Sequence, residues 1–214
     1  MTVSLVHERA LWDAGAVTVA GIDEVGRGAL AGPVSVGVVV LTVCEAWPDG
    51  LADSKQLTRL QREAMCPMLA QFGIARAVGH ASPGEIDDVG IVAALRRAAL
   101  RALASVGPID AILLDGTHDW LTAKPTLLDP DPEQTAPVTM VVKGDTLCAS
   151  VAAGSVLAKV ERDGLMREAH EVHPAYGWDG NKGYGAAAHL DAIRRYGATE
   201  LHRRSWSLPA QEAS

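Results

Sequence analysis

The ten residues VSVGVVVLTV (34–43) constrain the fold more than any other stretch of the chain. Seven of the ten are β-branched and none is charged. Such side chains suit a pleated backbone, and an apolar run of this length reads as a buried strand. A buried strand needs partners beside it and cover on its faces. The flanking sequence offers both. VTVAGID (17–23), IARAVGHA (74–81), IDAILLD (109–115) and VTMVV (138–142) read as further strands. Helical patterns occupy 5–14, 57–72 (with Pro67 as a weak point), 146–173 and 185–197. Another starts at Ser82, where Pro83 and Glu85 complete a capping box, and is expected to run to about Ser105. The order, a hairpin-like opening followed by crossover helices, predicts an α/β fold: a mixed five-stranded sheet flanked by helices. Residues 1–170 are expected to form the core and 171–214 a small C-terminal helical lobe. Residues 116–137, rich in proline and acids, read as an irregular surface insertion.

Composition narrows the classes of function. The 214 residues are 48% hydrophobic and 21% charged, with 19 Lys+Arg against 26 Asp+Glu and a formal net charge of -7. That excludes a disordered chain. No run of 18 or more apolar residues predicts a membrane span, and the N-terminal stretch does not resemble a secretory signal. Three cysteines without CxxC spacing argue against a zinc site or disulfide frame and for a reducing cytoplasm. Taken alone, the acidic balance argues against a nucleic-acid partner. Its placement is uneven, however. Residues 1–142 hold ten Lys/Arg against seventeen Asp/Glu, whereas 143–214 hold nine of each and four of the seven histidines.

Four carboxylates fall at strand ends: Asp23 and Glu24 after the first, Asp115 after the fourth, and Asp145 after the fifth. In an open α/β sheet, ligand sites form at strand ends. Several acids meeting there would repel one another, and a hard divalent cation such as Mg²⁺ removes that penalty. Two such ions about 4 Å apart activate water and stabilise the leaving oxygen in phosphodiester cleavage. Each acid alone is more often a turn former or cap than a metal ligand; the four together, with lysines beside them, favour a site. Adjacent strand residues face opposite ways, so Asp23 and Glu24 serve one site only where the strand ends or bulges. Gly26-Arg27-Gly28 lets main-chain N–H groups approach a phosphate or a ribose hydroxyl, although a tight turn explains it as well. Lys55, Lys143 and Lys182 are candidate phosphate contacts or plain surface lysines. In NKGYG (181–185), Tyr184 sits between glycines, where an aromatic ring stacks on a sugar or base.

These blocks together resemble a known family. GIDEVGRGALAGPV (21–34), DSKQL (53–57), LLDG (113–116), KGD (143–145), SVAAGSVLAKVERD (150–163), YGWDGNKGYG (176–185) and LHRRSW (201–206) resemble, in order, bacterial ribonuclease HII, the type 2 ribonuclease H. The resemblance implies a ribonuclease H-like sheet and an endoribonuclease. Its substrates would be the RNA strand of RNA/DNA hybrids and DNA duplexes carrying single ribonucleotides, cut on the 5′ side to leave 5′-phosphate and 3′-hydroxyl ends. It implies metal binding by Asp23, Glu24, Asp115 and Asp145, with Mg²⁺ or Mn²⁺, two ions when substrate is bound. It further implies substrate reading by Gly26, Arg27 and Gly28, and packing of Tyr184 on the sugar after the ribonucleotide. A cytoplasmic monomer is expected. Val25, Ala29, Gly154 and Asn181 depart from the family's commoner residues without removing a proposed ligand. A ribonuclease H-fold enzyme acting on DNA alone, and a non-catalytic hybrid-binding module, are the competing readings.

Overall fold

A computed structural model describes residues 3–123 and 135–212, so half of the expected 116–137 insertion lies outside the described residues. Its described start is only partly surface: Thr117 and His118 are exposed, but Trp120 and Leu121 are buried in the core, and Asp119 accepts the Leu121 and Thr122 amides at 2.9 Å. Two large apolar side chains override the irregular composition there.

The chain begins with helix α1 (Val6–Asp13), strand β1 (Val19–Val25) and strand β2 (Val34–Leu41). Helix α2 (Arg59–Leu69), strand β3 (Ala75–Ala81) and helix α3 (Pro83–Val106) follow, then strands β4 (Ala111–Asp115) and β5 (Val138–Val141). The last third holds helices α4 (Gly144–Leu147), α5 (Ala149–Val172), α6 (Trp178–Asn181) and α7 (Ala187–Tyr196). The sheet order is β3-β2-β1-β4-β5. β2 runs antiparallel to both β1 and β3; β4 runs parallel to β1, and β5 parallel to β4. This is the mixed five-stranded sheet expected, and every residue of β2 is buried.

Helices cover both faces. Val36, Val38 and Val40 of β2 pack with Ile86, Leu95 and Ala98 of α3. Val39 and Leu41 face the opposite way, toward α1, α2 and α5. Small residues let α5 lie close on that second face. A Cβ at Gly21 would stand 2.3 Å from the Ser150 carbonyl carbon, and one at Gly37 would stand 2.0 Å from the Gly154 oxygen. Gly154, one of the unusual residues, is therefore where the helix touches the sheet. Glu8, fully buried, accepts the amide and hydroxyl of Ser150 at 2.9 and 2.7 Å, a carboxylate set against the N-terminus of α5.

Three elements differ from expectation. Pro67 sits inside α2 without ending it; Met65 and Leu69 are buried on either side of it and hold the last turn to the core. The helix from Ser82 has its capping box and ends near the expected place, but Gly90 (φ 79°, ψ 162°) breaks its regular path. The helix expected over 146–173 is two, because Cys148 is extended and α4 forms a separate turn. The division expected at residue 170 falls inside α5, which runs on to Val172.

Candidate active site

Topology places the acids. Because β1, β4 and β5 are parallel, their C-terminal ends share one edge of the sheet. The β1–β4 pairing stops at Ile22↔Leu114, so Asp23 and Glu24 overhang β4 while still paired to β2. Neighbouring strands part there, as at a switch point. Asp115 ends β4, and its Oδ1 accepts the Gly144 amide at 2.7 Å. That bond ties the β5–α4 turn against β4. The turn itself needs Lys143 in a left-handed conformation (φ 59°), a sparsely populated state for a side chain with a Cβ. Asp145, in the first turn of α4, follows directly and is buried.

The electrostatics show that the four carboxylates feel one another. Asp23 is only 4% exposed, and burial pushes its carboxyl up to about 8. A side-chain hydrogen bond with Ser155 of α5 opposes the rise, and the charges of Glu24, Asp115 and Asp145 add to it. Burial also raises Asp115, helped by Asp145, and raises Glu24 against the pull of Arg27. Glu24 reaches the same field as Asp115 although it neighbours Asp23 in the strand. Two cations already answer this charge. Lys55 Nζ lies 3.2 Å from Asp145 Oδ2, and Arg27 Nη1 lies 3.3 Å from Glu24 Oε1. Burial pulls the Lys55 ammonium down, but its bond to Asp145 leads the pull upward, and the net shift is upward. Among the described residues no three His, Cys, Asp or Glu side chains meet as a ready-made metal cage. The donor set nevertheless suits a hard cation: oxygen ligands only, buried or half-buried, and mutually repelling.

The remaining predicted residues form a second group. Gly26 (φ 82°) has no room for a side chain, since a Cβ would stand 2.0 Å from Arg162 Nε. A Cβ at Gly28 would meet nothing within 4 Å, so its surroundings are open. Tyr184 is 38% exposed. Its loop joins the glycine-rich segment through Gly183, whose carbonyl accepts the Leu30 and Ala31 amides at 2.8 and 3.2 Å. Asn181 pins the loop by donating to the Tyr176 carbonyl and accepting the Gly183 amide. Lys182 turns its ammonium back onto the Asp179 carbonyl, and burial lowers its pKa. Lys143 is exposed at its turn. The structure thus brings Asp23, Glu24, Asp115, Asp145, Lys55 and Arg27 together, and sets Lys182 and Tyr184 on the adjoining loop.

Several supporting residues did not stand out individually as site candidates, although Ser155, Tyr176, Trp178 and His202 lie within the blocks that resemble the family. Ser155 hydrogen-bonds Asp23, and its hydroxyl lies 2.9 Å from that of Ser54, linking the DSK loop to β1. Trp178 Nε1 donates to His189 Nε2 at 3.0 Å, which leaves His189 Nδ1 to donate to the Tyr184 carbonyl at 2.8 Å. His202 lies against His189, and burial holds it down at about 4, so it is neutral there. Tyr176, stacked on Trp178 at 5.0 Å, donates to the Gly197 carbonyl and packs the lobe.

Comparison with known proteins adds a family to this geometry. The family model described as Ribonuclease HII matches residues 20–208. The chain is 43% identical over 217 residues to a ribonuclease HII of Thermosynechococcus vestitus, covering 99% of this chain and 94% of that one. It is 44% identical over 195 residues to a ribonuclease HII of Streptomyces avermitilis, covering 90% and 78%. Its fold is similar to the crystal structure of ribonuclease H2 from Pyrococcus horikoshii, with TM-score 0.67, 26% identity, and coverage of 89% and 94%.

Proposed function

The chain belongs to the ribonuclease HII family, and from that premise we propose a metal-dependent endoribonuclease. It cuts the RNA strand of RNA/DNA hybrids and the 5′ side of single ribonucleotides in duplex DNA, leaving 5′-phosphate and 3′-hydroxyl ends. The observation that carries this reading is the convergence of Asp23, Glu24, Asp115 and Asp145 at the parallel end of the sheet, each of the first three pushed toward protonation. Carboxylates kept in so costly an arrangement call for a cation.

Asp23, Glu24, Asp115 and Asp145 are the ligands in this reading. Mg²⁺ or Mn²⁺ held there, as a pair with substrate present, supplies Lewis-acid activation of water and charge relief at the leaving 3′-oxygen. Asp23 is oriented by the Glu24 amide at 2.8 Å and by Ser155. Asp115 is fixed by the Gly144 amide. The sugars are read beside the acids. A 2′-hydroxyl is what separates ribose from deoxyribose, and the main chain of 26–28 reads it. Gly28 supports this role: its neighbourhood does not require a glycine, and the open space suits close approach of a ligand. Tyr184 packs on the following deoxyribose. Lys55, Lys143 and Lys182 supply positive charge to the phosphates. Residues 171–214 form the lobe that grips the duplex, around Tyr176, Trp178, Ala192 and Ile193. The protein acts as a monomer in the cytoplasm; its three cysteines are free, and none of the described helices is long and apolar enough to cross a membrane.

The test is a pair of labelled duplexes, one all DNA and one carrying a single ribonucleotide, incubated across a Mg²⁺ titration. Cleavage only of the second, on the 5′ side and only with metal, is expected. Equal cleavage of both would favour a DNA nuclease on the same fold. Binding without cleavage at any metal concentration would favour a hybrid-binding module.

A further inference from the structure

Two arginines lie behind the sugar-reading residues, and both are fully buried. Arg203, in the tail after α7, donates to the carbonyls of Arg27 (2.8 Å), Gly26 (2.6 Å) and Gly32 (3.2 and 3.3 Å). Arg162, on α5, donates to Pro33 (2.8 Å), Ala31 (3.2 Å) and Lys182 (3.0 Å). Among the described residues, each of these hydrogen bonds ends on a main-chain carbonyl. Desolvated charge is costly, and a carboxylate or metal is its usual answer. Here the answer is a set of loop carbonyls. Burial, and the charge of Arg162 beside it, push Arg203 down to about 9. A guanidinium presents its donors in one rigid plane, so it fixes the distances between the carbonyls it joins; an ammonium does not. Arg203 thereby closes the 26–32 segment on itself. Arg162 joins that segment to the loop of Tyr184, and its guanidinium carbon stands 5.6 Å from the centre of the Tyr184 ring.

We propose that Arg162 and Arg203 are positioning residues that set the spacing between Gly26-Arg27-Gly28 and Tyr184, and thereby the selectivity for a lone ribonucleotide. The proposal rests on the reading of those two elements given above. A junction presents ribose and then deoxyribose, and both must be met at once. A continuous RNA strand offers ribose at every step and depends less on Tyr184. Loosening the spacing therefore harms junction cleavage more than hybrid cleavage.

The test compares kcat/KM on a single-ribonucleotide duplex and on a continuous RNA/DNA hybrid for wild type, Arg162→Lys, Arg203→Lys, Tyr184→Ala and the Arg162→Lys/Tyr184→Ala double variant. Lysine keeps the charge and loses the fork. The junction-to-hybrid ratio is expected to fall at least tenfold in both lysine variants. In the Tyr184→Ala background, Arg162→Lys is expected to change that ratio less than threefold, because the two act on one contact. Equal losses on both substrates, or full additivity in the double variant, would overturn the proposal. A wild type that ignores the junction, or a Tyr184→Ala ratio equal to wild type, would instead overturn the underlying reading. Hydrogen exchange on the wild-type protein covers the case in which the variants do not fold. The amides of Leu30, Ala31 and Gly183 are expected to exchange slowly and as one unit. Fast, independent exchange in the two loops would sink the idea.

Discussion

Asp23→Asn separates a functional acid from a structural one, because the two readings give opposite signs. An unfolded Asp loses its proton near pH 3.9; folded Asp23, desolvated among other acids, holds its proton to about 8. Below pH 4 both states are protonated, and the difference contributes nothing. As pH rises from 4 to 8 the unfolded chain releases a proton that the folded chain keeps, so the fold is progressively penalised. A gap of about four units corresponds to ~5 kcal/mol at full expression, and relaxation with water entry leaves ~2–3 kcal/mol. Asparagine removes the charge and retains an oxygen for the Glu24 amide. At roughly 2–4 °C per kcal/mol for a chain of this size, the metal-free variant should melt at least ~4 °C above wild type at pH 7.5. The advantage should vanish toward pH 4. Mg²⁺ should raise the wild-type melting temperature and narrow the gap, since it binds only the folded state. Cleavage should be lost. The assay is thermal melting by circular dichroism in EDTA and in Mg²⁺ from pH 4 to 8.5, beside a turnover measurement. A variant that melts lower than wild type at pH 7.5 would refute the electrostatic argument, and one that keeps normal turnover would remove Asp23 from the site.

Asp115→Asn should abolish cleavage with a native circular-dichroism spectrum, because Asn keeps an acceptor for the Gly144 amide; residual turnover within tenfold of wild type counts against its role. Tyr184→Ala should lower the rate at a single embedded ribonucleotide by tenfold or more, and an unchanged rate there removes the residue from substrate reading. Gly21→Ala drives a Cβ to 2.3 Å from the Ser150 backbone and should cost about 3 kcal/mol, together with turnover, as α5 lifts from the acids; a melting temperature equal to wild type would show that the helix yields freely. Ser82→Ala removes one half of a capping box and should cost about 1 kcal/mol by denaturant titration, leaving turnover as in wild type; a loss of activity there would show that α3 supports the site.

What the sequence made legible was whatever it expresses locally. The β-branched run at 34–43, the acids at strand ends and the Ser82–Glu85 cap each announce themselves within a few residues. The mixed sheet followed from the order of strands and helices, but the parallel pairing of β1, β4 and β5, which turns scattered acids into a cluster, came only with the structure. Features made by distant pairing did not stand out, even inside the blocks that resemble the family. Arg162 and Arg203 look like ordinary charged residues, because bonds from a guanidinium to loop carbonyls impose no spacing on the chain. Lys143 gave no sign of its left-handed backbone, since glycine normally marks such a position and Gly144 stands next to it. The break at Cys148 was hidden for a related reason: its neighbours are good helix formers, and only the bridge between Ser4 and Cys148 pulls that residue into an extended shape.

The bonds from Arg203 to residues 26 and 27 have a consequence for the order of synthesis. All four acids leave the ribosome well before Arg203 does. Until it emerges, the carbonyls of Gly26 and Arg27 lack their partner, and Ala31 lacks the bridge to His202. In the proposed reading, a growing chain thus carries its cutting groups before it has finished the means of choosing what to cut. On that reading, a chain made on a machine built largely of RNA gains discrimination last, when Arg203 emerges.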